Sequence, residues 1–182
     1  MAAYVAGDRR AFEQLFARLA PRLHRFFRRS FSAEATADDL LQVTFLKLHR
    51  ARDTYKTGMR VAPWAFAIAA RVRLDEFRRR KRLAEDGDEE ALARADEARA
   101  ADTRDEGALD GDTADAVRRA VEALPESQRV VIHLNRFEEM TFAEIARVLG
   151  TTEGAVKLRA FRAYGALRQA LAPLAPAGPV TS

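Results

Sequence analysis

The sequence predicts an all-α protein of two small helical domains, and three observations carry that prediction. Apolar residues recur at helical spacing through residues 10–82 and again through 116–172. Between them, residues 83–115 are rich in Ala, Asp, Glu and Gly, with Leu83, Leu92 and Leu109 as the only large apolar side chains. Residues 141–168 read as two helices joined by a tight turn. The expected organisation is a helical bundle over 1–82, an acidic flexible linker over 83–115, a four-helix domain over 116–172, and a fraying tail over 173–182 with three prolines.

The helical pair at 141–168 is the most explicit stretch. Thr141 and Glu144 suit a capping box, and Phe142, Ile145, Ala146 and Leu149 form one apolar face after it. Gly150 stands where a left-handed residue closes a helix at low cost. Thr151 or Thr152 can cap the next helix, with Glu153 beside its positive end. Val156, Ala160, Ala163 and Leu167 make that helix's buried stripe, and Lys157, Arg159, Arg162 and Arg168 largely occupy its other faces. A helix-turn-helix that reads DNA has this outline, and so does an ordinary αα-corner.

Composition narrows the class. The 182 residues are 48% hydrophobic and 32% charged, enough for a buried core. With no cysteine there is no disulfide, thiolate metal site or cysteine nucleophile. His24, His49 and His133 are scattered and suggest no metal cluster. No apolar run approaches the roughly 18 residues of a membrane span, and Met1 opens no signal-peptide pattern, so the expectation is a soluble, cytoplasmic chain. The net charge of +4 conceals segregation. Residues 1–82 carry 19 Lys and Arg against 8 Asp and Glu, the linker 3 against 13, and residues 116–182 carry 9 against 6. The two basic blocks favour a polyanionic partner.

In the first block, Phe12, Leu15, Phe16, Leu19, Leu23, Phe26 and Phe27 predict a helix over about 10–31, with a kink or break at Pro21. Its arginines, with Arg9 just before it, read mainly as a solvated face. A second helix opens near Thr36-Ala37-Asp38-Asp39 and runs to about Arg52. Its apolar coverage, Leu40, Leu41, Val43, Phe45, Leu46 and Leu48, exceeds one core face. Either it is buried from two sides or part of it is a docking surface. Residues 53–62 form a loop whose Tyr55, Lys56, Thr57, Met59 and Arg60 suit unstacked bases and phosphates, or an ordinary exposed loop. Pro63 fits the first turn of a third helix, with Trp64, Ala65, Ile68, Ala69, Val72 and Phe77 inward. That helix leads to five consecutive cations, 78–82, a density that favours phosphate contact.

The linker offers no apolar stripe, and a frayed helix over 88–101 is the most it could form. A short helix at 116–124 and another from Pro125 to about Glu139 follow, with Val117, Ala120, Val121 and Leu124, then Val130, Val131, Leu134 and Phe137, turned inward.

Taken together, these motifs resemble a bacterial RNA polymerase sigma factor of the extracytoplasmic-function class of the sigma-70 family. Residues 39–48, DLLQVTFLKL, are similar to the helix that docks on core polymerase. Residues 64–80, with Ile68-Ala69, Asp75 and Arg78-Arg79, are similar to the helix at the −10 promoter element. Ala123-Leu124-Pro125, Gln128-Arg129, Glu144-Ile145-Ala146, Leu149-Gly150 and residues 153–157 (EGAVK) are similar to the −35-reading domain. The chain departs from the family pattern at several positions. Val43 replaces an acid, His49 a tryptophan, Arg71 a polar residue near DNA, and Leu158 and Tyr164 a serine and an arginine. The start, Met1-Ala2-Ala3-Tyr4, is a few residues shorter than usual for the first helix.

The resemblance implies a sigma-2-like and a sigma-4-like domain and a non-catalytic promoter-specificity subunit without cofactor or metal. Expected partners are the clamp helices and flap region of core RNA polymerase, promoter DNA, and an anti-sigma factor, soluble or membrane-bound. Core docking falls to Asp39, Leu40, Gln42, Phe45 and Leu46. The −10 element falls to Tyr55, Lys56, Thr57, Arg60, Trp64, Arg71, Arg78 and Arg79. The −35 element falls to Thr151, Thr152, Glu153, Lys157, Arg159 and Arg162. The linker's 33 residues reach about 110 Å extended and roughly 30 Å as a coil. Two elements almost two DNA turns apart, about 60 Å, are bridged only by a drawn-out linker. The competing readings are a self-sufficient dimeric helix-turn-helix regulator and a protein-interaction adaptor that ignores DNA.

Overall fold

A computed structural model describes residues 1–31, 33–85 and 111–174. Eight α-helices and no strand occur among these residues. In chain order they are α1 (Ala2–Val5), α2 (Arg9–Arg28), α3 (Glu34–Arg50), α4 (Val61–Glu85), α5 (Gly111–Glu122), α6 (Glu126–Arg136), α7 (Phe142–Leu149) and α8 (Glu153–Leu171). The chain divides into two compact units, the first containing α1 to α4 and grouping Arg147–Gly150 with them, the second containing α5, α6, α8 and the Phe142–Ala146 part of α7. The all-α expectation stands, and the short α1 adds a helix ahead of the three that the spacing of apolar residues marks in the first block.

Within the first unit, α2, α3 and α4 pack on one another. Asp8 starts α2 by accepting from the Arg10 and Ala11 N–H groups at 2.8 and 3.3 Å. Pro21 lies inside α2 and does not break it. Pro21 and Ala17 both face solvent, so the Ala17 carbonyl that loses its intrahelical partner is open to water. Leu23, Phe26, Phe27, Leu48 and Phe66 are all at most 1% exposed, and Phe26 meets Phe66 edge to face at 5.4 Å. Two sequence expectations are corrected here. Phe16, expected inward, is 43% exposed, its ring tilted against Phe45 at 4.5 Å. Phe66, which the helical stripe omitted, is central, because α4 packs against both α2 and α3 and so buries more than one face.

Several buried polar groups of this unit find partners close by in the chain or over aromatic rings. The buried Thr44 hydroxyl donates to the Leu40 carbonyl at 2.7 Å. Arg73 lies over the rings of Phe26 and Phe77 at 5.2 and 5.5 Å. Glu76 accepts from Arg79 at 2.7 and 2.8 Å and from Arg80 at 2.8 Å, and Arg80 also donates to Thr36 Oγ1 at 3.2 Å, tying α4 to α3.

That Glu76 knot predicts a pH dependence. Burial alone would raise the carboxyl, but the hydrogen bonds and charges of Arg79 and Arg80 pull it below its ordinary 4.5. A carboxylate lowered by folding stabilises fully above its unfolded pKa and loses that contribution as pH falls through the folded value. Thermal melts should therefore show Glu76→Gln less stable than the parent at pH 7. The gap should close as pH falls below about 4, where the unfolded side chain is already protonated.

In the second unit, α8 packs on α6 and α5, with Leu124, Ile132, Ala163 and Leu167 in one cluster. The Thr141–Glu144 capping box forms reciprocally. Thr141 N–H donates to Glu144 Oε2 at 2.9 Å, and Glu144 N–H donates to Thr141 Oγ1 at 3.2 Å. Gly150 takes φ 62°, and the Thr151 and Gly150 N–H groups donate to the Ala146 and Arg147 carbonyls at 2.9 and 3.4 Å. This is a Schellman close, which a β-carbon at Gly150 would strain. Phe137 is the correction in this unit: expected inward, it is 55% exposed. Helix α6 stops at Arg136, Glu139 turns the chain with φ 52°, and Met140, 1% exposed, fills the core instead. Asn135 Nδ2 holds that turn by donating to the Met140 carbonyl at 2.9 Å.

Element boundaries also move. Helix α3 starts at Glu34 and stops at Arg50, giving way to a 3-10 turn at Arg52–Thr54. Helix α4 extends through Glu85, and α5 begins at Gly111, so helix enters the expected linker from both ends. A 3-10 turn at Ala172–Leu174 enters the expected tail. The frayed helix expected over 88–101 lies outside the described residues.

Candidate nucleic-acid interface

Helix α3 presents the first candidate surface. Asp39, Gln42, Val43, Leu46 and Arg50 are exposed and share the i, i+3, i+4, i+7, i+11 register of one face. Leu46 is 60% and Val43 39% exposed, so apolar groups sit amid polar ones, as at a docking site. Two residues expected here are elsewhere. Leu40 and Phe45 are 7% and 6% exposed and belong to the interior, because they fall on the opposite side of the helical turn. Val43 should be added. Its departure from an acidic residue is the sequence signal that could have marked it.

The loop after α3 folds back on itself. The Tyr55 hydroxyl donates to the Met59 carbonyl, and Gly58 supplies the positive φ of 88° that the turn requires. Tyr55 then meets Trp64, in the first turn of α4, edge to face at 5.4 Å. Lys56, Thr57 and Arg60 are exposed around this aromatic pair. Two half-buried rings ringed by cations and hydroxyls can stack unpaired bases and hold their phosphates.

Along α4, Arg71 and Arg78 line an open groove with Lys47, Ile68, Leu74 and Asp75. From Trp64 to Arg78 the helix rises about 21 Å, roughly six base steps. The five-cation tract is partly spoken for. Arg79 and Arg80 hold Glu76, Lys81 approaches Glu85 at 3.5 Å, and Arg78 approaches Asp75 at 3.8 Å with most of its side chain exposed. The Glu76 hydrogen bond raises Arg79 above its ordinary pKa, so that arginine is a structural clamp as well as a surface cation.

The helix-turn-helix supplies the third surface. Thr152 is the N-cap of α8 and accepts from Ala155 N–H at 3.2 Å; Thr151 is half-buried in the turn. Val156, Ala160 and Ala163 face the core, each at most 3% exposed. Lys157, Arg162 and Arg168 are exposed and Arg159 is half-exposed. Lys157 is held by Glu153 at 2.7 Å. Replacing Glu153 by Gln should free that lysine, steepening the salt dependence of duplex binding by about one counterion and tightening it several-fold at low salt, as read by fluorescence anisotropy. Leu158 and Phe161, outside the expected contact set, are 49% and 77% exposed; large apolar groups off the helical stripe are the sequence signal that marks them. Among the described residues, no three His, Cys, Asp or Glu side chains are grouped to hold a metal ion, and no helix is long and apolar enough to cross a membrane.

Comparison with known proteins gives a consistent result. Residues 15–83 match Sigma-70 region 2, and residues 114–167 match Sigma-70, region 4. The RNA polymerase sigma factor CarQ of Myxococcus xanthus is 36% identical over 172 residues, covering 92% of this chain and 93% of that protein. The ECF RNA polymerase sigma factor SigM of Mycobacterium tuberculosis is 36% identical over 171 residues, covering 94% of this chain and 82% of SigM. CnrH, solved in complex with the cytosolic domain of CnrY, aligns with TM-score 0.65 at 28% identity over 96% of both chains. RpoE of Bartonella quintana, solved with the anti-sigma factor NepR, shares the fold, with TM-score 0.73 at 24% identity over 89% of this chain and 97% of its own. The chain belongs to the extracytoplasmic-function class of the sigma-70 family of RNA polymerase sigma factors.

Proposed function

We propose that the first unit docks core RNA polymerase and opens the −10 element while the second reads the −35 element, so that the chain directs initiation without catalysing it. The observation that carries this division is the pairing, in one chain, of a sigma region 2 match and a sigma region 4 match. The exposed Asp39, Gln42, Val43 and Leu46 face fits a polymerase surface that takes apolar groups ringed by polar ones. At −10, opening the duplex costs about 1.4 kcal/mol per stacked step. Bases captured against Tyr55 and Trp64 at roughly 1–3 kcal/mol each offset that cost, while Lys56, Thr57, Arg60, Arg71 and Arg78 steady the backbone. At −35, Arg159 and Arg162 flank the groove and the turn threonines approach phosphate. The acidic linker, placed at 83–115 by the sequence and shortened by the observed helix ends, joins the two grips.

The site of action is the cytoplasm, where core polymerase works. Membership of this class also supports restraint by an anti-sigma factor, a role consistent with CnrH having been solved with a partner's cytosolic domain. The test is run-off transcription. Core polymerase alone should give background, and polymerase with this chain should give discrete transcripts dependent on both upstream elements. A chain substituted Leu46→Asp should lose polymerase binding and keep its fold.

A further inference from the structure

The solvent side of α8 is not uniformly charged. At about 100° per residue, Leu158 stands about 190° round the helix from the Val156, Ala160, Ala163 and Leu167 stripe, so it points directly away from the core. Gly154, Leu158, Phe161 and Gly165 form the central strip of that outer face. Neither glycine would bring a side-chain atom into contact with a neighbour, and Leu158 and Phe161 are 49% and 77% exposed. Cations border the strip on both sides, Lys157 and Arg168 on one and Arg162 and Arg159 on the other. A helix with charged flanks and an apolar, narrow midline fits a major groove from edge to floor. The flanks meet the phosphate walls, and the midline reaches the base edges, where the apolar group on offer is the thymine C5-methyl.

We propose that Leu158, with Phe161 one turn further on, reads thymine methyl groups at the −35 element. This rests on the reading of the second unit as the −35 domain and names the bases that domain selects. The charge pattern commits the face to nucleic acid. Helix α8 carries four cations against the single acid Glu153, and a protein-docking face of so few apolar side chains would be small. The two residues are three apart, a rise of about 4.5 Å against about 3.4 Å per base step, so they address neighbouring base pairs. Arginines on the flanks then position the helix, and the apolar pair chooses the sequence.

The experiment uses the full-length chain with core polymerase. A duplex library randomised upstream of the start site is selected for open-complex formation, and the selected −35 thymines are replaced one at a time by deoxyuridine, which removes only the methyl. The expected selection shows thymine at neighbouring positions. Each critical replacement should slow initiation about fourfold, the equivalent of ~0.8 kcal/mol for one buried methyl. The L158A chain, altered at an exposed position, should initiate equally from thymine and uracil at one position, and F161A at its neighbour. The proposal is overturned if the parent treats thymine and uracil alike throughout, or if L158A keeps the parent's ratio. It is also overturned if L158A weakens polymerase binding without changing that ratio, which would make the strip a protein contact. Selection of a −10 but no −35 sequence would sink the underlying domain assignment as well.

Discussion

Reversing both charges with R159E/R162E should cut −35-dependent transcription by at least about a hundredfold. Each lost cation removes about 1–3 kcal/mol of contact, and two at about 1.4 kcal/mol each already give that factor. Each new acid then repels phosphate. Both side chains lie off the α8 core stripe, so the fold should survive and core polymerase binding through α3 should be unchanged. Abortive and run-off transcripts from templates with and without the −35 element separate the effects. A protein-interaction adaptor would be indifferent to the change.

The largest stability effect is expected at Phe66. Its ring is 0% exposed, set edge to face on Phe26 at 5.4 Å and beneath the Arg22 guanidinium at 5.9 Å. Phe66→Ala leaves a cavity where α4 meets its neighbours and should cost about 3–5 kcal/mol, a large share of the roughly 5–15 kcal/mol holding a small domain. Denaturant unfolding followed by the single tryptophan, Trp64 two residues away, should show the midpoint of the first unit fall sharply. The second unit, whose buried Val131, Leu134, Ile145 and Val156 lie on helices other than α4, should keep its own stability.

How legible the molecule was depends on how local each determinant is. The helix-turn-helix was read nearly residue by residue, because capping box, Schellman glycine and Thr152 cap are decided within a few residues of chain. Of the kink or break expected at Pro21, the break does not occur, because a proline's cost depends on which way its ring faces, and the sequence does not show that this side of α2 is wet. Phe16, Phe66 and Phe137 share one cause. Helical spacing says which residues share a face, but only packing says how many faces are covered and where a helix stops. The broad apolar surface of α3 resolved in the same way: Leu40, Phe45 and Leu48 went inside, and Val43 and Leu46 stayed out.

The charged site residues were easier to name than to assign. A run of five cations suggested a phosphate grip, yet Arg79 and Arg80 spend their geometry on Glu76, and Lys157 spends its own on Glu153. Such ion pairs at i, i+3 and i, i+4 are visible in the sequence once the helix is known. What sequence periodicity could not rank was the midline of α8. Leu158 departs from the family pattern at a position that bears on base preference, and its place opposite the core says how it could do so.

The central claim is that this chain reads promoters as a subunit of polymerase and not alone. DNase footprinting on a promoter-bearing duplex, with and without core polymerase, tests it most directly. Protection spanning both the −10 and −35 elements should appear only when chain and polymerase are present together. A specific footprint from the free chain, particularly over a symmetric site, would contradict the account and favour a self-sufficient regulator.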